Sequence, residues 1–264
     1  MYNKYILIFV VVLISVFSLA TSCEKPTPDP DEPTTGKLKI NMSFNWGNAP
    51  LQFDTLIYVN AAGNKYLVHE IQFFITNVTI YKNGNAKVLN SWQKAHYFDT
   101  NIPSTLEWPI VDDIEQGSYD SLSFTFGFTN VDNESFMYVN PPENQMFWPE
   151  YLGGGYHYMK LNGKWENPDG YLRGSAFHLG KGQTYDANGN IVGFIDNSFR
   201  VSVSGSDFSI SAANTSNFDL VMDIQQWFEN PTVYNHNDWG GDIMENQDAM
   251  AIARANGWNV FKMK

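Results

Sequence analysis

The stretch from residue 37 to residue 46 alternates strictly between polar and apolar side chains, and this pattern constrains the fold more than any other feature. Polar or charged residues occupy every odd position of the stretch. The even positions carry Leu38, Ile40, Met42, Phe44 and Trp46. Because successive side chains of an extended chain point to opposite faces, a period of two predicts a strand with one buried face.

The same alternation returns several times later in the chain. It is found at residues 122–128, 199–203, 208–210 and 218–224. Residues 66–81 are apolar on both faces, which is typical of a central strand or a bent strand pair. Asn83 and Gly84 follow that stretch and form a strong hairpin signal. We therefore predict an all-β fold, an antiparallel β-sandwich that spans residues 37–264.

Helical signals are few and lie mainly near the C-terminus. Asp242 and Glu245 have the spacing of a capping box, and Asn256 with Gly257 gives an end signal. The sequence thus predicts a short C-terminal helix over residues 242–256. One helical turn is also predicted at residues 112–116, where acidic residues suit a helix start.

The N-terminus has the organisation of a secretory leader. Lys4 precedes an uncharged apolar run, and small residues follow it up to the single cysteine, Cys23. The run is close to the lower limit for a transmembrane span, but Leu19-Ala20-Thr21-Ser22-Cys23 resembles a bacterial lipobox. We predict a signal peptide at residues 1–22, lipidation of Cys23 and attachment to a membrane through the lipid.

Residues 23–36 contain four prolines and four acidic residues in close succession, and cannot build a packed element. They predict a stiff, acidic tether between the lipid and the folded domain. Its acidic start resembles surface-export signals of Bacteroidetes lipoproteins, although a plain spacer fits as well. The expected location is the outer membrane, facing either the periplasm or the cell surface.

Charge and cysteine content exclude several classes of function. The chain has 16 Lys and Arg residues against 28 Asp and Glu residues, a net charge of −12. Nucleic-acid binders need a basic surplus to neutralise phosphates, so no nucleic-acid partner is expected. One cysteine cannot form an internal disulfide framework or a cysteine-based zinc site. No nucleophile elbow, zinc-protease motif or phosphate loop is present, so we expect a protein that is not an enzyme.

Histidine and methionine give the strongest chemical signal. His157 and His178 lie on successive predicted strands and could approach each other across a hairpin, and His236 stands just ahead of the predicted helix. Met146 lies in the loop that precedes the first of these strands. Imidazole and thioether ligands suit copper, especially Cu(I). Histidine on a strand is also common as a hydrogen-bonded structural residue, so both interpretations stay open.

Several segments, in order, resemble the MbnP-like family. They are Met146-Phe147-Trp148, residues 155–163, residues 177–180, residues 221–228 and the C-terminal stretch that ends with Val260-Phe261. The resemblance extends over residues 37–264 and identifies the chain as a Bacteroidetes-type lipoprotein member of that family. It implies a β-sandwich that binds copper, with His157, His178, His236 and Met146 as the candidate ligands.

The resemblance also implies a chemical modification and a partner. In the family, copper is held by histidine together with an oxidised tryptophan, kynurenine, which a dihaem peroxidase-type partner produces. The family pattern places that tryptophan two residues before a histidine. Trp148 precedes His157 by nine positions, so the pattern does not carry over to this sequence.

A dense group of aromatic residues supports an alternative function. Trp148, Tyr156, Tyr158 and Trp165 are close in sequence, and a run of three glycines lies among them. Exposed rings beside polar residues can stack on sugars, which would make the chain a glycan-binding or structural surface lipoprotein without metal. The same rings could equally pack in the core. Exposure distinguishes the two, because a sugar needs a ring face that is open to solvent.

Overall fold

The computed structural model describes residues 33–89, 95–203 and 205–264. The predicted leader, Cys23 and most of the predicted tether therefore lie outside the described residues. The strands are β1 (Thr35–Trp46), β2 (Ala49–Pro50), β3 (Tyr58–Val59), β4 (Lys65–Lys82), β5 (Asn85–Val88), β6 (Ala95–Asp99), β7 (Glu107–Glu115), β8 (Gly117–Tyr119), β9 (Ser121–Phe126), β10 (Met159–Glu166), β11 (Leu172–Leu179), β12 (Gly182–Tyr185), β13 (Ile191–Ile195), β14 (Phe199–Ser202), β15 (Phe208–Ile210), β16 (Thr215–Asp223) and β17 (Phe261–Met263).

Within the described residues the helices are short, and both α-helices lie near the C-terminus. The α-helices are α1 (His236–Trp239) and α2 (Gln247–Asn256). The 3-10 helices are Pro103–Leu106, Glu143–Met146, Glu150–Leu152, Ile224–Phe228 and Gly257–Asn259. Among the described residues, no helix has the length and apolar character needed to cross a membrane.

The smaller of the two main sheets is built around β1. Its strand order is β17-β16-β1-β2, and β7 also pairs with β1. The residues that alternate in β1 behave as the sequence predicts, since Leu38, Ile40 and Met42 are buried while their neighbours are partly exposed. The pairing of β1 with β16 is parallel, from Lys37 opposite Thr215 onward. Most of the remaining pairings in the fold are antiparallel.

The larger sheet is organised by the long strand β4. Its order is β11-β10-β4-β9-β14, with β3, β5 and β6 also paired to β4. The inner faces of the two sheets meet through aromatic rings. The ring centroids of Phe73 on β4 and Phe44 on β1 are 6.3 Å apart, and those of Phe124 on β9 and Phe261 on β17 are 5.1 Å apart. The predicted β-sandwich with a short C-terminal helix is confirmed.

Two local predictions differ from the structure. Residues 112–116 do not form a helical turn, because most of them belong to β7, where Trp108, Ile110 and Ile114 are buried at alternating positions. Asp112 occupies an inward position in that series and interrupts the apolar alternation in the sequence. The C-terminal helix begins later than predicted, at Gln247, and its cap is Asn246, whose side chain accepts a hydrogen bond from the Ala249 amide.

Candidate functional site

The connection between β9 and β10 folds over the large sheet and ends at His157. Within it, Phe147 forms a β-bridge with Tyr156, and the Trp148 amide donates to the Gly155 carbonyl. The reversal between these pairs needs backbone freedom that glycine provides, since Gly153, Gly154 and Gly155 all have positive φ angles, of 111°, 64° and 85°. This hairpin-like loop positions His157 immediately before β10.

The Met146 carbonyl holds His157 in place. It accepts hydrogen bonds from both the His157 backbone amide, at 2.6 Å, and the ring Nδ1, at 2.9 Å. A carbonyl can only accept, so Nδ1 carries the proton of the neutral ring and Nε2 has a free lone pair. His157 is 4% exposed, and its Nε2 is buried without a hydrogen-bond partner.

A second chain of hydrogen bonds holds His178 on β11. Its Nε2 lies 2.8 Å from Oδ1 of Asn162 on the adjacent strand β10. The Asn162 amide nitrogen donates to Glu70 at 3.1 Å, which turns the amide oxygen toward the histidine. His178 therefore donates from Nε2, and Nδ1 keeps the lone pair. That Nδ1 is also buried without a partner.

The two imidazole rings lie against each other. Their centroids are 5.2 Å apart and their planes cross at 84°. Each ring is fixed by an oxygen acceptor at one nitrogen, and the other nitrogen is unsatisfied inside the protein. Buried polar atoms without partners are rare in native structures and call for an explanation. In metal sites, a histidine ligand is oriented in the same way, because the ring nitrogen that does not bind the metal donates to a hydrogen-bond acceptor.

Both imidazoles are neutral around pH 7. Burial, with a contribution from the positive charge of Lys160, lowers the pKa of His178 to about 4 and holds the pKa of His157 well below its usual range. Lys160 is the β-sheet partner of His178, and its ammonium donates to the Gln145 carbonyl at 2.6 Å. Neutral imidazole is the form that binds a metal ion, so no proton has to leave before binding.

The His pair fits a metal that accepts few ligands better than one that needs four. Within the described ranges, no group of three or more His, Cys, Asp or Glu residues is arranged to hold a metal ion. Two uncharged nitrogen ligands suit copper, whereas structural zinc normally takes four protein ligands. The residues present are therefore compatible with copper.

A family model described as MbnP matches residues 35–246, from β1 to the segment before α2. The chain belongs to the MbnP family. The solved structure of MbnP from Methylosinus trichosporium is 15% identical to this chain, covers 75% of it and 79% of its own length, and gives a TM-score of 0.50. At 15% sequence identity, the similarity between the two structures shows a shared fold and nothing more. No curated protein matches the chain.

In this MbnP family member, His236 does not join the other two histidines. It is buried in a separate aromatic cluster, with ring centroids 5.7 Å from Tyr66 and 6.0 Å from Trp165. Its Nδ1 lies 3.2 Å from the Asn60 side-chain amide. Trp165 is six strand residues beyond Met159, a distance of about 20 Å along β10. The predicted grouping of His236 with His157 and His178 is therefore wrong, because sequence order does not show which end of β10 it approaches.

Met146 contacts His157 in a different way from the one predicted. The side chain of Met146 is fully buried in the core cluster. The atom that Met146 offers to His157 is its main-chain carbonyl oxygen, which accepts the hydrogen bond from the ring Nδ1. In this structure, Met146 therefore orients one of the two histidines.

The aromatic residues predicted to bind sugars belong to the core. Trp148, Tyr156, Tyr158 and Trp165 are 0%, 1%, 0% and 6% exposed. Of the two interpretations left open by the sequence, core packing is the one that the structure supports for these rings, and the proposed role of these four residues as sugar-binding rings is not supported. Tyr156 packs against Phe74 in a second apolar layer on the outer face of the large sheet, whereas Trp165 packs against His236 in a separate aromatic cluster. Large rings at the surface are found elsewhere, at Tyr151, Tyr171 and Tyr185.

Trp148 has a further contact that the sequence did not predict. Its ring meets the His157 ring edge to face, with centroids 4.7 Å apart, and its indole nitrogen donates to the Leu152 carbonyl. On the other side it packs against Gly180, where a Cβ atom would lie 2.6 Å from the ring. The loop reversal brings together two residues that are nine positions apart.

Sequence reasoning also missed Asn162, Glu70 and Lys160. Asn162 and Lys160 are polar residues at alternating positions of β10, on the same side as His178. That alternation was a usable signal, because polar side chains on a strand covered by a loop are expected to find specific partners. Glu70 comes from β4, and only the register between β4 and β10 places it beside Asn162.

Proposed function

We propose that this MbnP family protein binds copper without catalysing a reaction, and that His157 Nε2 and His178 Nδ1 are its ligands. The proposal depends on these two buried nitrogens, which belong to neutral imidazoles and have no hydrogen-bond partner. The second nitrogen of each ring is fixed by Met146 or by Asn162, as in metal sites whose ligands are oriented in advance. Copper would stay bound as cargo or as a structural ion, and the protein would store or carry it.

Copper analysis of a double variant tests this proposal. The full-length protein is incubated with Cu(I) or Cu(II), freed of excess metal and analysed by mass spectrometry for bound copper. We expect stoichiometric copper in the native protein and loss of that copper in the variant His157→Gln with His178→Gln. Glutamine retains a polar side chain but cannot replace both imidazole ligands.

His69→Gln provides the matched control, because it makes the same change at a histidine near the surface. It is expected to retain native copper content. Copper retained by the double variant would contradict the proposal, provided that its circular dichroism spectrum matches the native spectrum. Absence of copper from the native protein would also contradict it, and would favour the alternative of an envelope protein without metal that binds glycans or has a structural role.

The family resemblance adds a partner to the proposal, and the contact between the Trp148 and His157 rings adds a candidate residue for the modification, which the sequence pattern itself does not carry over. Trp148 is the tryptophan best placed for oxidation to kynurenine among the described residues, because its ring contacts that of His157. A dihaem peroxidase-type enzyme would be the partner that carries out the oxidation. Mass analysis of the peptide that contains Trp148, taken from protein made in its own host, distinguishes a modified residue from an unmodified one.

We also propose that the protein is attached to the outer membrane through a lipid on Cys23. The apolar leader and the position of the single cysteine support this, with the acidic, proline-rich residues after it as a tether. Cys23→Ser is expected to move the protein from the membrane fraction to the soluble fraction, since two or more acyl chains give stable anchoring. Fractionation followed by immunoblotting measures the change, and membrane association retained by the variant would contradict it.

A further inference from the structure

Glu70 stands at the outer end of the hydrogen-bond chain that leads to His178. On β4 it is the direct antiparallel partner of Asn162 on β10, so the two side chains share one face of the large sheet. His178 lies diagonally across the next strand, since its own partner on β10 is Lys160. The register of β4 against β10 shifts just after Asn162, and such a bulge changes the direction of nearby side chains. The sheet register therefore places Glu70 beside the residue that holds His178.

Both carboxylate oxygens of Glu70 accept hydrogen bonds from side-chain amides. Oε2 accepts from the Asn162 amide nitrogen at 3.1 Å, and Oε1 accepts from the Asn101 amide nitrogen at 2.5 Å. Asn101 is itself held in place, because its backbone amide donates to the Asp99 carboxylate at 2.8 Å. A carboxylate has no proton to donate, so it can receive only the NH2 end of either amide. The Asn162 oxygen must then point away from Glu70, toward His178.

The orientation of Asn162 decides which ring nitrogen of His178 carries the proton. The Asn162 oxygen can only accept, so His178 donates from Nε2 and keeps the lone pair on Nδ1. If the amide were reversed, its NH2 group would face Nε2, and Nε2 would have to supply the lone pair. The proton would then be on Nδ1. A protonated ring nitrogen cannot bind a metal ion, so this reversal would remove one of the two proposed ligand atoms.

We propose that Glu70 is a positioning residue, which selects the Nε2–H tautomer of His178 through Asn162 and so keeps Nδ1 available for copper. The proposal rests on the proposed copper binding by His157 and His178. His157 needs no such control, because its Nδ1 faces a main-chain carbonyl, which only accepts. A side-chain amide can reverse by rotation about its last bond, so the orientation of Asn162 depends on the group on its far side.

Glu70→Lys tests this inference, because an ammonium group donates hydrogen bonds and cannot accept them. It should attract the Asn162 oxygen and turn the NH2 group toward His178. The metal-free, full-length protein is labelled with a nitrogen isotope at histidine and studied by NMR spectroscopy at neutral pH, where the ring nitrogen shifts distinguish the two tautomers. The signals of His178 are assigned from the spectrum of His178→Gln. We expect the Nε2–H form in the native protein and mainly the Nδ1–H form in Glu70→Lys.

Glu166→Lys is the matched control. It makes the same change of charge on β10, at the end of the strand away from His178, and should leave the tautomer unchanged. Glu70→Gln is a second, milder variant, since glutamine can either donate to Asn162 or accept from it. It should populate both tautomers of His178. The Nε2–H form alone in Glu70→Gln and in a folded Glu70→Lys would overturn the role of Glu70.

A double variant shows whether Glu70 acts through Asn162. In the background Asn162→Ala, the tautomer of His178 should be the same with and without Glu70→Lys, because the connecting amide is absent. If Glu70→Lys still changes the tautomer in that background, the effect does not pass through Asn162 and the proposal is wrong. This comparison also separates the hydrogen-bond effect from the effect of the added positive charge.

Cu(I) affinity gives the second readout, measured under reducing, anaerobic conditions by competition with a chromogenic chelator. Glu70→Lys should bind Cu(I) at least about tenfold more weakly, since only the fraction of molecules with a free Nδ1 can bind, and Glu166→Lys should stay within about twofold of the native protein. A changed tautomer with unchanged affinity would overturn the role of Glu70 in copper binding. A native protein that binds no copper would overturn the proposed function, whereas the control of the His178 tautomer by Glu70 would stand.

Discussion

Asn256→Asp is expected to lower the free energy of unfolding by about 4 kcal/mol, although the two side chains have nearly the same shape. Asn256 is fully buried at the end of α2. Its amide nitrogen donates to the Trp227 carbonyl at 2.9 Å and to the Thr232 carbonyl at 2.8 Å, and its oxygen accepts from the Thr232 amide at 3.1 Å. A carboxylate cannot donate, so it would leave the buried Trp227 carbonyl and the Thr232 carbonyl without this donor and face them with a negative charge.

Chemical denaturation followed by tryptophan fluorescence measures this change at constant pH. Asn259→Asp is the matched control, since it makes the same substitution three positions later at an exposed residue. It should alter the free energy of unfolding by no more than about 0.5 kcal/mol. If the effect of Asn256→Asp is as small as that of the control, the hydrogen bonds of Asn256 contribute little to stability and this prediction is wrong.

The second large effect is a loss of stability in mild acid that depends on His236. Burial lowers the pKa of His236 from 6.5 to about 4, and only neutral partners surround its ring, namely the Asn60 amide and the rings of Tyr66, Trp165, Phe228 and Tyr234. The unfolded chain therefore takes up a proton at a higher pH than the folded chain does. The contribution of neutral His236 to the free energy of unfolding is therefore fully present above pH 6.5 and is lost as the pH decreases from 6.5 toward 4. This histidine alone accounts for up to about 3 kcal/mol across that range.

His236→Phe tests the assignment, because phenylalanine keeps an aromatic ring in the cluster and cannot be protonated. Urea unfolding of the native protein and the variant is compared at pH 7.0, 5.5 and 4.5. The variant is expected to lose less stability than the native protein over this range, even if the missing Asn60 hydrogen bond makes it less stable at pH 7. Equal losses in the two proteins would show that other groups cause the acid sensitivity.

The sequence predicts the strands well wherever one face of a strand is buried and the other is exposed. β1 is an example, because ten consecutive residues keep the same alternation. β7 was missed since Asp112 occupies an inward position and interrupts an otherwise regular series. The parallel pairing of β1 with β16 could not be predicted, because alternation within a strand carries no information about its neighbours.

The candidate site was predictable where its residues are neighbours across one hairpin. His157 and His178 lie on either side of the β10–β11 turn, so proximity followed from the strand assignment alone. Their free nitrogens depend on Asn162, Glu70 and the Met146 carbonyl, and these contacts need a strand register and a loop path that residue types do not specify. His236 shows the same limit, because its distance from the pair depends on which end of β10 the later loop approaches.

The parallel pairing of β1 with β16 also determines when the domain can fold. The centre of the small sheet joins the first strand of the domain to one near the end of the chain, with Lys37 opposite Thr215. Closing so long a loop has a high entropic cost, and folds rich in such distant contacts form slowly. An N-terminal fragment synthesised first would leave the β16-facing edge of β1 unpaired. The domain is therefore expected to complete its fold only after the whole chain has been delivered, which would suit a protein that is exported in an unfolded form.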